Sequence, residues 1–453
     1  MRQAWGTFWL AAGTVFMISL DATVVVAAFP ALRHHFSDVS PAWLSWTING
    51  YSIVFASLLV PFGRLVDRTG SQRCFLIGVT GFTLASAACA LAPSPQWLTM
   101  ARVIQAMAAA LASPASLAMI LGAFSAGERA RVAGLWSAVG ALGAALGPLI
   151  GSALIDGFSW PMIFLINVPV GLVVIGVAWR PRQPEGLVKA SGRLDIIGTL
   201  LLIGGVAVIA GGLAHGSQES PGNILIVSLV GLALLATFFF WARGRSDAAL
   251  DLRLFSEPDY RWASAATLVL GFAFGMMFLT FYLFFTGVWH FPQALAGLAA
   301  TPGPMTATLV AIVVSKFGAR WGIRGRLATG GALFVASNVW LARCIRVEPD
   351  YLGTWLPGQI VGGIAIGLIL PTLTAAAVAG LPSPQWGVGG AVNNALRQLG
   401  SALGVASAVA ITGHAFASIE AFRVVYWCLA AAGGVIVGLS IPLSHHPAPI
   451  REA

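Results

Sequence analysis

The sequence predicts an all-α polytopic membrane protein that crosses a bilayer fourteen times. Three observations predict it. Hydrophobic residues make up 58% of the 453 and charged residues only 9%. The apolar runs recur at nearly constant length, and the basic residues collect on one side of them. A soluble domain carries roughly 25% charged residues, so a soluble fold of this size lacks the charge to cover its surface. A lipid-facing surface needs none. The 53 glycines agree, because small residues let membrane helices approach closely.

A span needs roughly 20 apolar residues at 1.5 Å per residue. Such runs lie near 7–30, 42–62, 74–92, 97–122, 131–155, 160–179, 194–213 and 222–241. The rest lie near 261–286, 294–316, 327–345, 352–379, 386–412 and 421–443. The first run is longer than the apolar part of a signal peptide and contains Asp21, so it reads as a retained span.

The basic residues orient the spans. With the N-terminus in the cytoplasm, only Arg33, Arg343, Arg346 and Arg423 fall outside, and Arg102 and Arg397 fall within spans. The other 19 of the 25 Lys and Arg residues fall inside. That asymmetry obeys the positive-inside rule and puts both termini in the cytoplasm. It also accounts for the net charge of +9 without a nucleic-acid partner. Tryptophans such as Trp5, Trp43, Trp97 and Trp160 sit near span ends, where an amphipathic ring favours the interface. The four cysteines form no CxxC pair and read as small core residues rather than metal ligands or a disulfide.

An internal repeat organises the spans. The loop GRLVDRTGSQR follows the second, and SKFGARWGIRGR follows the tenth. A shift of 252 residues aligns Arg68 with Arg320, Gly70 with Gly322 and Gly78 with Gly330. Two parallel six-span halves follow, 1–185 and 251–453, with an inserted pair of spans at 186–250. The inserted pair has almost no interior polar groups and reads as lipid-facing packing.

An ionised group inside a bilayer costs about 2.5–3.5 kcal/mol on insertion scales, so each is a functional candidate. Asp21 lies past the midplane of the first span, and Arg102 can share its depth from the fourth. Arg397 lies mid-span in the thirteenth. Two readings of Asp21 stay open: a proton-titrating site, or a static ion pair. In the fifth span, Gly143, Gly147 and Gly151 with Pro148 form a small-residue face, readable as general packing or as a hinge seam. Gly63, Asp67, Arg68, Gly70 and Arg73 make a compact charged turn, readable as a conformational latch or as anchoring. Candidate cavity residues are Trp46, Asn49, Tyr51, Gln105, Phe281, Tyr282, Phe285, Asn393, Asn394, Arg397 and Gln398. His290 and His414 are candidates for tuning pH response. No HExxH, Ser/His or paired-carboxylate arrangement lies inside the spans, which argues against an intramembrane enzyme.

These segments resemble the major facilitator superfamily, and within it the fourteen-span drug:proton antiporters. LDATVVVAAFP (20–30) is similar to that group's first-helix signature, with Asp21 and Pro30 matching. GRLVDRTGSQR (63–73) resembles the superfamily's loop motif, and RVIQ (102–105) its fourth-helix motif. GALGAALGPLIGS resembles the antiporter motif of the fifth helix, WPMIFLINVPVG (160–171) the start of the sixth, and LRQLGSALGVA (396–406) the penultimate helix. Val26 stands where the family has Asn, Ala106 and Ser152 where it has Gly, and Ala319 where an acid would mirror Asp67.

The resemblance implies a major facilitator fold of two six-helix bundles plus two inserted helices. It implies alternating access, proton coupling through Asp21 and Arg102, and export of small lipophilic or aromatic compounds. It implies a monomer in the cytoplasmic membrane, powered by the proton motive force without a cofactor. The alternatives are export of one dedicated metabolite or natural product, and proton-coupled uptake.

Overall fold

The computed structural model describes residues 2–178, 195–215, 221–245, 248–317, 322–379, 381, 386–412 and 418–443. All regular structure among them is helical. The first part comprises α1 (Arg2–His35), α2 (Pro41–Leu44), α3 (Trp46–Thr69), α4 (Ser71–Ala90), α5 (Pro95–Ala123), α6 (Ala126–Gly157), α7 (Met162–Leu165) and α8 (Asn167–Ala178). Then come α9 (Ile196–His215) and α10 (Pro221–Ala242). The remainder comprises α11 (Pro258–Gly287), α12 (Gln293–Ala300), α13 (Pro302–Phe317), α14 (Ile323–Cys344), α15 (Leu356–Ala379), α16 (Trp386–Thr412) and α17 (Ile419–Ser440). Among the described residues, ten helical stretches are long and apolar enough to cross a membrane, and Leu142–Gly157, Met162–Ala178 and Ile226–Ala242 are shorter apolar segments.

Local chemistry explains where the helices start and stop. α2 and α5 both begin at Ser-Pro pairs. Ser40 accepts from the Trp43 N–H and Ser94 from the Trp97 N–H, each at 3.2 Å. Pro41 and Pro95 occupy the first turn, where a missing N–H costs nothing. Gly70 separates α3 from α4 at φ 97°, a conformation that suits only glycine without strain. Two expected spans are broken. Pro169 cannot bond to the Leu165 carbonyl and crowds it, so the expected span 160–179 divides into α7 and α8. The prolines of Pro302–Gly303–Pro304 likewise divide the expected span 294–316 into α12 and α13.

Packing partners recur along the chain. α1 packs on α6 as α11 packs on α16, α4 on α5 as α14 on α15, and α3 on α5 as α13 on α15. The glycines aligned by the repeat do the same work. A Cβ on Gly78 would come within 2.7 Å of the Ala112 nitrogen of α5, and one on Gly330 within 2.7 Å of Ile369 on α15. The second α11–α16 seam is built from glycines of both helices. Gly271 and Gly275 abut the Arg397 and Ser401 carbonyls, while Gly400 and Gly404 abut those of Leu268 and Phe272.

Where α1 terminates, the two sets of helices close on each other. Asp156, near the end of α6, accepts the Ala294 N–H at the start of α12 at 2.8 Å. Gly297 sits against Ser152 and the Pro148 carbonyl. A continuous apolar core joins Val24–Leu32 of α1 to Phe284, Phe285, Trp289 and Trp355.

The inserted pair differs from the expectation of two lipid-facing helices. α9 packs over α3 and α16 together and also on α2. Its face of Leu202, Val206 and Ala210 is buried, at helical spacing. Gly211 fits against the Trp46 ring. α10 packs on α9 and leaves Ile226, Leu229, Leu232 and Phe240 exposed. The sequence missed what anchors the pair. Buried Asp195 accepts from the Gly198 N–H, the Trp241 indole and the Ala249 N–H, each at 2.9 Å. Asp195→Ala orphans all three donors at a cost of about 2 kcal/mol or more. The expected result is a lowered melting temperature in detergent; an unchanged one would show that this carboxylate does not anchor the pair.

Candidate functional site

Asp21 and Arg102 meet. An Arg102 guanidinium nitrogen donates to Asp21 Oδ2 at 2.5 Å, and both side chains are withdrawn from solvent, at 0% and 1% exposure. Asp21 Oδ1 accepts from Gln105 Nε2 and from Asn167 Nδ2, each at 2.9 Å. Gln105 Oε1 accepts from Arg102 at 2.6 Å, and Gln105 Nε2 also donates to Ser86 Oγ at 2.7 Å. Arg102 Nε donates to the Thr47 carbonyl at 3.2 Å. The Arg102 guanidinium lies 4.0 Å above the Tyr51 ring. The cysteine nearest the site, Cys89, donates its S–H to Gln105 Oε1 at 3.7 Å.

Five helices therefore contribute to one network, in which α5 and α8 reach the Asp21 carboxylate directly. α1 supplies Asp21, α5 supplies Arg102 and Gln105, α4 supplies Ser86, α8 supplies Asn167 and α3 supplies Tyr51. Arg102 and Gln105 reach the same group because positions three apart share a helix face. Asn167 reaches it because the break before α8 brings that helix's first residue inward. The pair is neutral overall, and all three donors aim at the ionised carboxylate, the strongest kind of acceptor.

Two residues expected to line a cavity belong to this node: Gln105 and Tyr51. The others divide. Phe285 is buried in an aromatic cluster, stacked on Phe291 at 5.7 Å and 4.5 Å from Trp355. Tyr282 is buried beside it on the same helix, and Phe281 lies 5.2 Å from Trp355. All three occupy packed core here, not accessible space. Trp46 is the knob against α9. Asn49 is buried, donating to Ser45 Oγ at 3.4 Å. Asn393 donates to Thr267 Oγ1 at 3.0 Å, and Arg397 donates to Asn394 Oδ1 at 2.7 Å. Gln398 is half-buried on the same helix. Ser86 and Gln359 were not singled out from sequence. Ser86 reads there as one more small residue. Gln359 is buried in α15 with both ends of its amide unpartnered.

A sequence profile described as the Major Facilitator Superfamily matches residues 11–405. The chain belongs to that superfamily. This major facilitator is 33% identical over 404 residues to the methylenomycin A resistance protein of Streptomyces coelicolor, covering 88% of this chain and 83% of that one. It is 33% identical over 419 residues to the puromycin resistance protein of Streptomyces alboniger, covering 89% and 81%. It is 32% identical over 396 residues to the multidrug resistance protein Stp of Mycobacterium tuberculosis, covering 86% and 73%. Its fold is similar to that of the human organic anion transporter MFSD10, with a TM-score of 0.65 at 16% identity, covering 97% and 99%.

As a major facilitator it is a multi-pass membrane transporter of small molecules and not an enzyme. The fifth-span glycines serve an interface within the first set of helices. Gly143 faces the Phe16 carbonyl of α1, Gly147 faces Thr23 and Leu20, and Gly151 faces Val24. Pro148 points its carbonyl toward Gly297 on α12 while accepting from Ser152 Oγ at 2.8 Å. At the charged turn, Gly63 approaches Pro114 and the exposed Arg68 and Arg73 flank Gly70. Gln72 ties the turn to the end of α8 by donating to the Ala178 carbonyl at 3.1 Å. The Asp67 side chain, the second-half turn with Ala319 and Arg320, and His414 lie outside the described residues. His290 is exposed at φ 53°, away from the Asp21 node.

Proposed function

We propose that this major facilitator is a fourteen-span, proton-coupled antiporter that exports small lipophilic or aromatic compounds by alternating access. The observation that carries the reading is the closed node around Asp21. Its carboxylate holds α1, α5 and α8 together through three donors, so a bound proton has structural consequences. A carboxylic acid cannot keep the ion pair with Arg102, and its O–H would face groups that donate. Protonation thus loosens the node, and deprotonation re-forms it. The relatives' resistance names support drug export as the task coupled to that cycle.

The supporting anatomy is two six-span bundles, residues 1–185 and 251–453, with an inserted pair at 186–250. α14, though less apolar, joins the ten long and three shorter apolar segments to give fourteen spans. The bundles rock about a central cavity. The α3–α4 turn (Gly63, Asp67, Arg68, Gly70, Arg73) acts as a latch, and the α1–α6 glycine seam transmits the motion. Both termini lie in the cytoplasm, and the chain works as a monomer in the cytoplasmic membrane. No cofactor is needed, because each charge moved down the potential contributes about 2.3 kcal/mol per 100 mV. A narrower reading, export of one dedicated natural product, is favoured by relatives named for single antibiotics.

Everted vesicles holding the full chain test the proposal. With an acid interior, puromycin and methylenomycin A are offered outside, together with a fluorescent multidrug dye. Accumulation of at least one compound is expected, collapsing when nigericin dissipates the pH gradient. Accumulation that survives the collapse would exclude proton coupling. Uptake in right-side-out vesicles alone would favour the symporter reading.

A further inference from the structure

We infer that Arg397 is an anion-recognising residue and that the exported compounds carry a carboxylate or another acidic oxygen pair. The inference deepens the exporter reading and rests on it. Arg397 lies 11 residues into α16, about 17 Å along the helix and near its middle. Its side chain donates to Asn394 Oδ1, a neutral group on its own helix. Arg102–Asp21, Arg253–Asp251 and Arg423–Glu420 are ion pairs among the described residues, and Arg397 takes part in none. The one carboxylate at comparable depth, Asp21, is already met by Arg102, Gln105 and Asn167. Among the described residues, Arg397 therefore has no carboxylate within ion-pair distance.

A second observation says where that charge points. Asn394, Arg397, Gln398 and Ser401 recur at three- and four-residue spacing and are half-buried, while Val392, Ala395, Leu399 and Ala402 are fully buried. α16 thus carries a row of half-buried polar side chains, flanked by half-buried Leu396 and Leu403. Such a stripe at membrane depth lines a wet or protein-walled cavity, because lipid cannot solvate it. A guanidinium offers a planar fork of donors that matches a carboxylate two to two, with neighbouring amides to take further oxygens. The aromatic character of the proposed substrates stays as before; the added feature is an acid.

The test uses purified full-length protein in nanodiscs and two probes of equal shape, 2-naphthoate and 2-naphthamide. Wild type is expected to bind the acid at least about ten-fold more tightly than the amide, roughly 1.4 kcal/mol. Arg397→Gln is expected to bring the two affinities together, and Arg397→Lys to keep part of the preference. Equal affinities in the wild type, binding of neither probe, or a preference that survives in Arg397→Gln overturns the inference. Binding needs no pH gradient, so the vesicle experiment reads the coupling separately. Preference without pH-driven export sinks the coupled reading alone; export without preference sinks the anion site alone.

Discussion

Asp21→Asn is expected to leave the protein inserted while reducing pH-driven export to the vesicle background. The carboxamide still offers Arg102 one acceptor but cannot titrate. Its N–H2 group must face either Arg102 or the amides of Gln105 and Asn167, all donors, at a cost of about 1–3 kcal/mol. Arg102→Ala is the harsher change. It leaves a buried carboxylate without its counter-ion, a loss of about 3–5 kcal/mol, and should lower the yield of monodisperse protein. The double variant Asp21→Asn/Arg102→Gln separates the two readings of the pair. It removes both charges and should recover stability relative to Arg102→Ala. If it also recovers pH-driven export, the pair is a static brace and the proton site lies elsewhere.

Gly404→Ala should be among the most damaging single-methyl additions on the α11–α16 seam. A Cβ there overlaps the Phe272 carbonyl and lies 2.9 Å from the Met276 nitrogen, both backbone atoms of α11 that no rotamer change can move. The α11–α16 crossing must widen, and overpacking of this kind costs about 1–3 kcal/mol. Gly434→Ala is the matched control, because a Cβ on Gly434 meets nothing within 4 Å. Thermal melting in detergent should separate the two clearly. Equal melting temperatures would mean that the seam has slack and does not transmit motion between α11 and α16.

The helices and the Asp21–Arg102 meeting were legible in the sequence, because a charge in a span is rare and helical rise gives its depth. The partners of that pair were harder to read. Gln105 carries a signal, its three-residue spacing from Arg102, yet in isolation it passes for a cavity amide. Ser86 carries none, since serine is common among small packing residues. Asn167 reaches the carboxylate only because the helix breaks before it, a consequence of Pro169. Phe285 and Tyr282 stand in packed core in this structure. Aromatic residues near a span end suit a binding cavity, but Phe285 packs with Trp289, Phe291 and Trp355. Asp195 went unnoticed because its donors are backbone N–H groups and a distant indole, which no local pattern brings together.

The placement of α9 makes the two sides of the helix bundle unequal. Contacts between the two sets of helices include α3 with α16 and α6 with α12. The first carries α9 across its outside, with α10 backing it, so acyl chains and dissolved compounds meet a wall there. The α6 contact is made by the shorter part of a broken helix, α12–α13. The inserted pair thus sheathes one of the two seams.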